Sequence, residues 1–479
     1  MPGPHGEGAD AGAVEKVATG IQGLDEMLHG GIPAGRLTLV TGGPGSGKTV
    51  LGVEFLYRAA LKGAPGVFVA FEETAEAVRT NARSMGFDLA ALERTQKLVV
   101  ASPELPQSLT TAGDFDIQGL LAGLTARIDA IQARCIVIDA LDVIVRLFEN
   151  GRREREEIER LHRWQRARGL TAVLTLKVPK SDDRLYPYLD FMADCVLRLD
   201  QRIADQIRTR RLAVIKYRGS GFMSNEAPFA LTPTGIRILP VAGIVKPCWP
   251  TAKDRIGSGS RQLDQILGGG FRPGERILLA GAAGTGKTTL AAAFTDTACR
   301  AGQRVLFVNY ETSAQALVDS MRSPGIDLGP HLAAGTLSVV DAIPEAASVE
   351  EHLVRVLDAA AAFQPSHMVI DAVSALQRMG SDRAGFEMLV RLFSYCGKHR
   401  ITLLLLNQAP ACPPFPNLSG FGVSSLVDTI IYLQFVENAG RMRTRLLVVK
   451  SRGSAHARDY QELRIGNHGI EIVPDRPLP

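Results

Sequence analysis

The sequence predicts two successive α/β domains, each a mostly parallel twisted sheet flanked by helices and finished by late strands that read as antiparallel additions. Three observations predict it. The phosphate-loop pattern, Gly, four residues, Gly-Lys-Ser/Thr, occurs twice. Each copy stands between an apolar, strand-like run and a helix-like segment, the context that such a loop requires. The surrounding residues repeat at a nearly constant spacing, so the chain reads as one unit used twice.

The first loop is Gly42-Gly43-Pro44-Gly45-Ser46-Gly47-Lys48-Thr49, and the second is Gly281-Ala282-Ala283-Gly284-Thr285-Gly286-Lys287-Thr288. Backbone N–H groups must converge on phosphate oxygens there, and side chains would block the approach, hence the glycines. The lysine brings a point charge to the outer phosphates. Thr49 and Thr288 offer hydroxyls to the magnesium ion (Mg2+) that accompanies a nucleoside triphosphate. Strands are expected at 36–41 and 276–280, with helices at 48–62 and 287–301.

Beyond the loops, Lys287 follows Lys48 by 239 positions and Glu311 follows Glu72 by the same 239. Segment 19–25 returns as 258–264. Asp371 follows Asp139 by 232, and Lys450 follows Lys216 by 234, so only small insertions separate the copies. The remaining strands are expected at 67–71, 98–100, 135–139, 171–176, 195–199 and 211–217, and again at 304–310, 337–340, 367–371, 401–406, 428–435 and 444–450. Residues 1–13, rich in glycine, read as a disordered lead-in. A Pro-containing linker near Gly243–Pro250 places the first domain at 14–245 and the second at 246–479.

A chain of 479 residues has room for such domains. A net charge of +4 from 54 basic and 50 acidic side chains does not mark a nucleic-acid binder. The cysteines Cys135, Cys195, Cys248, Cys299, Cys396 and Cys412 form no Cys-x-x-Cys pair and read as thiols of a reducing compartment. No run reaches membrane-span length, and the N-terminus lacks a signal-peptide pattern. The expected location is cytoplasmic.

Four further groups carry chemistry. The apolar strands 135–139 and 367–371 each end in aspartate, Asp139 and Asp371, where a carboxylate beside the loop can hold magnesium. Strand 67–71 leads into Glu72-Glu73 and strand 304–310 into Glu311-Thr312. A carboxylate at a strand's carboxyl end can orient or deprotonate the attacking oxygen; the alternative is a helix-capping acid. Lys216-x-Arg218-Gly-Ser and Lys450-x-Arg452-Gly-Ser put two cations on one strand face, suited to phosphate oxygens or to solvent. Asn407 ends strand 401–406, as a sensor of the terminal phosphate or as an ordinary loop residue.

These residues, with the tract Ser424-Ser425-Leu-Val-Asp428-Thr-Ile-Ile-Tyr-Leu-Gln434, resemble the KaiC-like family of tandem RecA-fold ATPases over roughly 14–479. The resemblance implies homo-oligomeric, six-membered rings with ATP at the subunit interfaces. It implies that Glu72 activates water in the first domain and that Glu311 takes a proton from serine in the second. It implies that Lys216, Arg218, Lys450 and Arg452 reach a neighbour's nucleotide, and that Ser424 and Ser425 are self-phosphorylated. Partner proteins would read the result. Within the repeat, Ser424 and Ser425 fall on Asp190 and Phe191, which have no hydroxyl, so only the second domain can modify itself there. The alternative for the serines is a cap or turn pair. Thr312 departs from the family's second carboxylate. The clock members carry a longer tail than the stretch that follows Gly469-Ile-Glu-Ile-Val-Pro474 in this sequence.

Two rival functions remain at this point. A DNA recombination or repair ATPase of the RecA type would need a basic DNA-binding element, and Arg152, Arg153 and Arg155 are balanced by Glu154, Glu156, Glu157 and Glu159. A nucleotide-gated signalling scaffold would bind ATP and turn it over little.

Overall fold

The computed structural model describes residues 14–103, 117–148, 151–178, 187–204, 207–241, 255–409, 418, 420–438, 440–454, 456–467 and 469–474. The chain divides into two compact units, with the main break between Pro240 and Val241. The expected lead-in at 1–13 and the expected 245/246 boundary with its linker lie outside the described residues.

In the first unit a short antiparallel pair, β1 (Lys16–Val17) and β2 (Ile32–Pro33), precedes a nine-stranded sheet. Its strands are β3 (Leu37–Gly42), β4 (Gly66–Ala70), β5 (Leu98–Ala101), β6 (Cys135–Asp139), β7 (Thr171–Lys177), β8 (Cys195–Ala204), β9 (Ile207–Tyr217), β10 (Ala227–Thr232) and β11 (Gly235–Ile238). The second unit's sheet holds β12 (Arg276–Gly281), β13 (Val305–Asn309), β14 (Leu337–Asp341), β15 (His367–Asp371), β16 (Thr402–Gln408), β17 (Thr429–Asn438), β18 (Arg441–Ser451), β19 (Gln461–Gly466) and β20 (Gly469–Pro474). Their spatial orders are β5-β4-β6-β7-β3-β8-β9-β10-β11 and β14-β13-β15-β16-β12-β17-β18-β19-β20, the same arrangement twice.

The central strands are buried on both faces, which is why they read as unbroken apolar runs rather than alternating ones. Every residue of β3, β6 and β12 is buried. In β4, Phe68 packs with Phe55 and Leu197 on one side of the sheet, while Val67 and Val69 pack with Ile128 and Leu174 on the other. The second unit builds the equivalent layer from Phe294, Phe307 and Leu404.

The helices after the loops run Lys48–Leu61 and Lys287–Arg300, one residue shorter than expected. Of the late strands, β8 and β17 belong to the parallel part, since each pairs parallel with its loop strand. The antiparallel part starts one strand later: β18 pairs antiparallel with β17, and β10 with both β9 and β11. β8 and β9 are longer than the expected 195–199 and 211–217. Polar residues such as Asp200 and Arg202 look like a loop but stand on a hairpin with a solvent face, where Arg202 pairs with Asp200 and Glu226. The hairpins β10–β11 and β19–β20 were not expected. Among the described residues no helix is long and apolar enough to cross a membrane.

Candidate functional site

Each unit ends its central strand on a glycine that admits no side chain. A Cβ on Gly42 would lie 2.5 Å from the Leu199 carbonyl oxygen, and one on Gly281 would lie 2.4 Å from that of Leu433. The neighbouring parallel strand passes too close for anything larger. The loop then reverses through left-handed residues, Gly45 and Gly47 at φ +70° and +100°, Gly284 and Gly286 at +80° and +94°. Lys48 folds back over its loop, and its Nζ donates to the carbonyls of Gly42 and Gly43 at 2.8 and 2.9 Å. Lys287 does the same with Gly281 and Ala282 at 2.9 and 2.8 Å. Burial lowers the pKa of both lysines, and Asp139 or Asp371 beside them opposes that shift.

The two aspartates stand where the repeat put them. Thr49 Oγ1 donates to Asp139 Oδ2 at 2.8 Å, and Thr288 Oγ1 to Asp371 Oδ2 at 2.7 Å. A hydroxyl and a carboxylate held together at the loop form a hard-oxygen pair of the kind that magnesium takes, so the residues present fit that ion. The surroundings differ. Thr175 also donates to Asp139, to Oδ1. In the second unit Leu406 takes the matching place, because Thr175 pairs with Val40 and Leu406 with Leu279. Burial, with the negative charge of Glu311 added, pushes the Asp371 carboxyl up to about 6 against the pull of Thr288 and Lys287.

Register brings the glutamates to the same end. Ala70 pairs with Asp139 and Asn309 with Asp371, so the turns after β4 and β13 overhang the aspartates. Glu72 and Glu311 are exposed there, and their charges reach Lys48 and Lys287. Glu73 is tied down, accepting from Asn81 Nδ2 at 2.9 Å. In the second unit Thr312 replaces it and accepts from Asn309 Nδ2 at 2.8 Å. Asn309 went unnoticed in the sequence, although the 239-residue spacing sets it against Ala70.

The remaining candidates gather elsewhere. Lys216 Nζ donates to the carbonyls of Asp190 and Ala193 at 2.6 and 2.7 Å, and Arg218 Nη2 to that of Phe191 at 2.7 Å. Lys450 Nζ donates to Ser424 and Val427 at 2.9 and 2.7 Å, and Arg452 Nη2 to Ser425 at 2.6 Å. The cations therefore clamp the backbone of the turn that carries Asp190 and Phe191, or Ser424 and Ser425. Ser424 is half-buried and Ser425 exposed on the helical turn Val423–Ser425. That turn precedes β17, whereas the loop follows β12, and the two strands run parallel. Within one unit the structure does not bring these six residues to the phosphate loop. Asn407 is buried and donates to the Leu418 carbonyl at 2.8 Å. Arg152 and Arg155 pair with Glu156 and Glu159 at 3.0 Å along an exposed helix, as a solvated face does.

Two loop-strand-aspartate cradles on two sheets of one topology define a tandem P-loop ATPase of the RecA type. A family model described as "ATPase: KaiC" matches residues 17–242 and 256–477. Circadian clock protein KaiC2 of Synechocystis sp. is 35% identical over 462 residues, 96% of this chain and 81% of that protein. Circadian clock oscillator protein KaiC of Synechococcus elongatus is 34% identical over 465 residues, 96% of this chain and 89% of that protein. KaiC3 of Synechocystis sp. is 33% identical, covering 96% and 92%. The chain belongs to the KaiC family.

Proposed function

We propose that the chain is an ATP-driven switch whose first unit hydrolyses ATP and whose second unit phosphorylates Ser424 and Ser425 of an adjoining copy. One observation carries the reading. The two cradles share the folded-back lysine and the threonine–aspartate pair, yet of the matched clamped positions only Ser424 and Ser425 carry hydroxyls, where the first unit has Asp190 and Phe191.

In both units the loop and its lysine bind the triphosphate. Thr49 with Asp139, and Thr288 with Asp371, would hold magnesium, which when bound offsets phosphate charge. In the first unit the Glu72 carboxylate takes a proton from water as the water oxygen bonds to the γ-phosphorus. The bond to the β–γ bridging oxygen breaks, and ADP and phosphate leave. In the second unit Glu311 takes the serine hydroxyl proton, the serine oxygen bonds to the γ-phosphorus as its bond to the β–γ bridging oxygen breaks, and ADP leaves. Lys450 and Arg452, travelling with the acceptor turn, bring positive charge to the transferring group.

The turn and the loop sit at opposite ends of parallel strands, which supports transfer between copies. A closed ring, six-membered as the family resemblance implies, supplies such a neighbour to every copy. Each phosphoserine adds up to about two negative charges beside Lys450 and Arg452, a change that partner proteins can read as a signal or a time mark. The reading places the protein in the cytoplasm, without nucleic acid.

The test is site mapping by mass spectrometry after incubation with Mg-ATP. Phosphate on Ser424 and Ser425 is expected. Hydrolytically active protein with both serines unmodified removes the kinase half.

A further inference from the structure

The two units hold their catalytic turns by different means. In the first unit position 70 is alanine, and the second glutamate, Glu73, is fixed by Asn81. In the second unit position 309 is asparagine, only 2% exposed at the carboxyl end of β13. Its Oδ1 accepts the backbone N–H groups of Glu311 at 3.0 Å and Thr312 at 3.3 Å. Its Nδ2 donates to Thr312 Oγ1 at 2.8 Å. Three bonds from one buried amide thus fix the backbone on both sides of the Glu311 side chain. The position matching Asn81 is Ser320, whose hydroxyl is turned to the Leu317 carbonyl. Position 320 thus offers residue 312 no counterpart of the Asn81 amide.

We propose that Asn309 is the positioning residue of the second site, holding Glu311 over the terminal phosphate in place of the Glu73–Asn81 pair that steadies the first site. The inference rests on the reading of Glu311 as the proton acceptor and adds the group that aims it. An acceptor carboxylate must lie within hydrogen-bond reach of the attacking hydroxyl, and a misplacement of about 1 Å can cost about a hundredfold in rate. Loosening the turn by removing the Asx bonds falls short of such a displacement in every molecule, so a loss of about tenfold is expected. ATP binding, carried by the loop and Lys287, does not depend on Asn309.

The experiment uses the full chain with Lys48→Ala, which silences the first cradle, and follows γ-phosphate from labelled ATP, transferred plus released. Asn309→Ala should lower the initial rate at saturating ATP about tenfold, with the KM for ATP read from initial rates unchanged within about twofold. Asn309→Ser is nearly the same size as the alanine variant, but its hydroxyl can accept the same N–H groups in an ST turn. It should recover most of the rate. Equal impairment by alanine and serine would mean that lost volume, not the hydrogen bonds, matters, and it overturns the proposal. So does an unchanged rate in Asn309→Ala, or a loss carried in KM. Absence of any turnover in the Lys48→Ala parent instead removes the reading of the second site itself, and this inference with it.

Discussion

Phosphorylation of Ser424 and Ser425 should pass only from one copy of the chain to another. β17 pairs with β12 from Thr429 opposite Ile277 to Leu433 opposite Gly281. The loop begins at Gly281, and Lys287 lies beyond it. The acceptor turn ends before Thr429. The intervening four residues, at ~3.3 Å each, put the hydroxyls roughly 13 Å or more from their own cradle along the strand. In-line transfer needs the reacting atoms within about 3–3.5 Å. β17 lies in the core of the sheet, so no local hinge closes that gap. The perturbation is a pair of variants: Lys287→Ala keeps the acceptors and loses the cradle, and Ser424→Ala/Ser425→Ala keeps the cradle and loses the acceptors. Each alone should show no phosphate at 424 or 425 by mass spectrometry. Mixed before Mg-ATP is added, the Lys287→Ala chains should gain it. A mixture that stays blank, under conditions in which the unaltered chain is modified, would refute the geometric reasoning.

Two further predictions concern stability. His367 is buried against Phe294, its Nε2 facing Gln303 at 2.6 Å, and burial pulls its pKa down to about 4. The unfolded chain therefore binds the extra proton first, and the second unit should lose on the order of 3 kcal/mol as pH falls from about 6.5 to about 4. Denaturant titrations across that window should show a flatter profile for His367→Leu, and an unaltered slope would contradict the assignment. Glu54 is fully buried, pairs with Arg58 at 2.6 Å and accepts the Ile236 N–H at 2.7 Å. Glu54→Ala orphans that buried donor and should cost the first unit about 2 kcal/mol. The second unit, which has Ala293 at this position, should keep its hydrogen-exchange protection. Equal loss of protection in both units would contradict the account.

The parts of the sites that depend on local chain geometry were legible beforehand. A glycine-rich turn between a strand and a helix leaves the loop little freedom, and an apolar run ending in aspartate can deliver the carboxylate to only one sheet edge. The repeat spacing of 234 that sets Ser424 against Asp190 also sets Lys450 against Lys216, and each lysine donates to the carbonyl of its own partner in that pairing. What was not legible depends on side chains meeting across strands. Thr175 lies between Leu174 and Leu176 in a largely apolar strand, and only its place beside Asp139 makes its hydroxyl matter. Asn309 sits inside an apolar run, and Glu54 inside a helix, with partners that sequence spacing does not reveal. The hairpin β19–β20 did leave a signal: Glu462, Leu463, Arg464 and Ile465 alternate before a turn, and Ile470, Glu471 and Ile472 alternate after it. β10 and β11 were harder to see, because Pro228 interrupts the pattern and pairing occurs only at the sheet's far side.

The central claim is a division of labour between two like cradles, and following labelled γ-phosphate through three proteins tests it most directly. Label fixed on protein and label released to solution are measured together for the unaltered chain, Lys48→Ala and Lys287→Ala. The account predicts that Lys48→Ala loses most of the release and keeps the fixed label, whereas Lys287→Ala keeps the release and fixes none. Label still fixed on Lys287→Ala would contradict it, as would two variants that lose both products to the same extent.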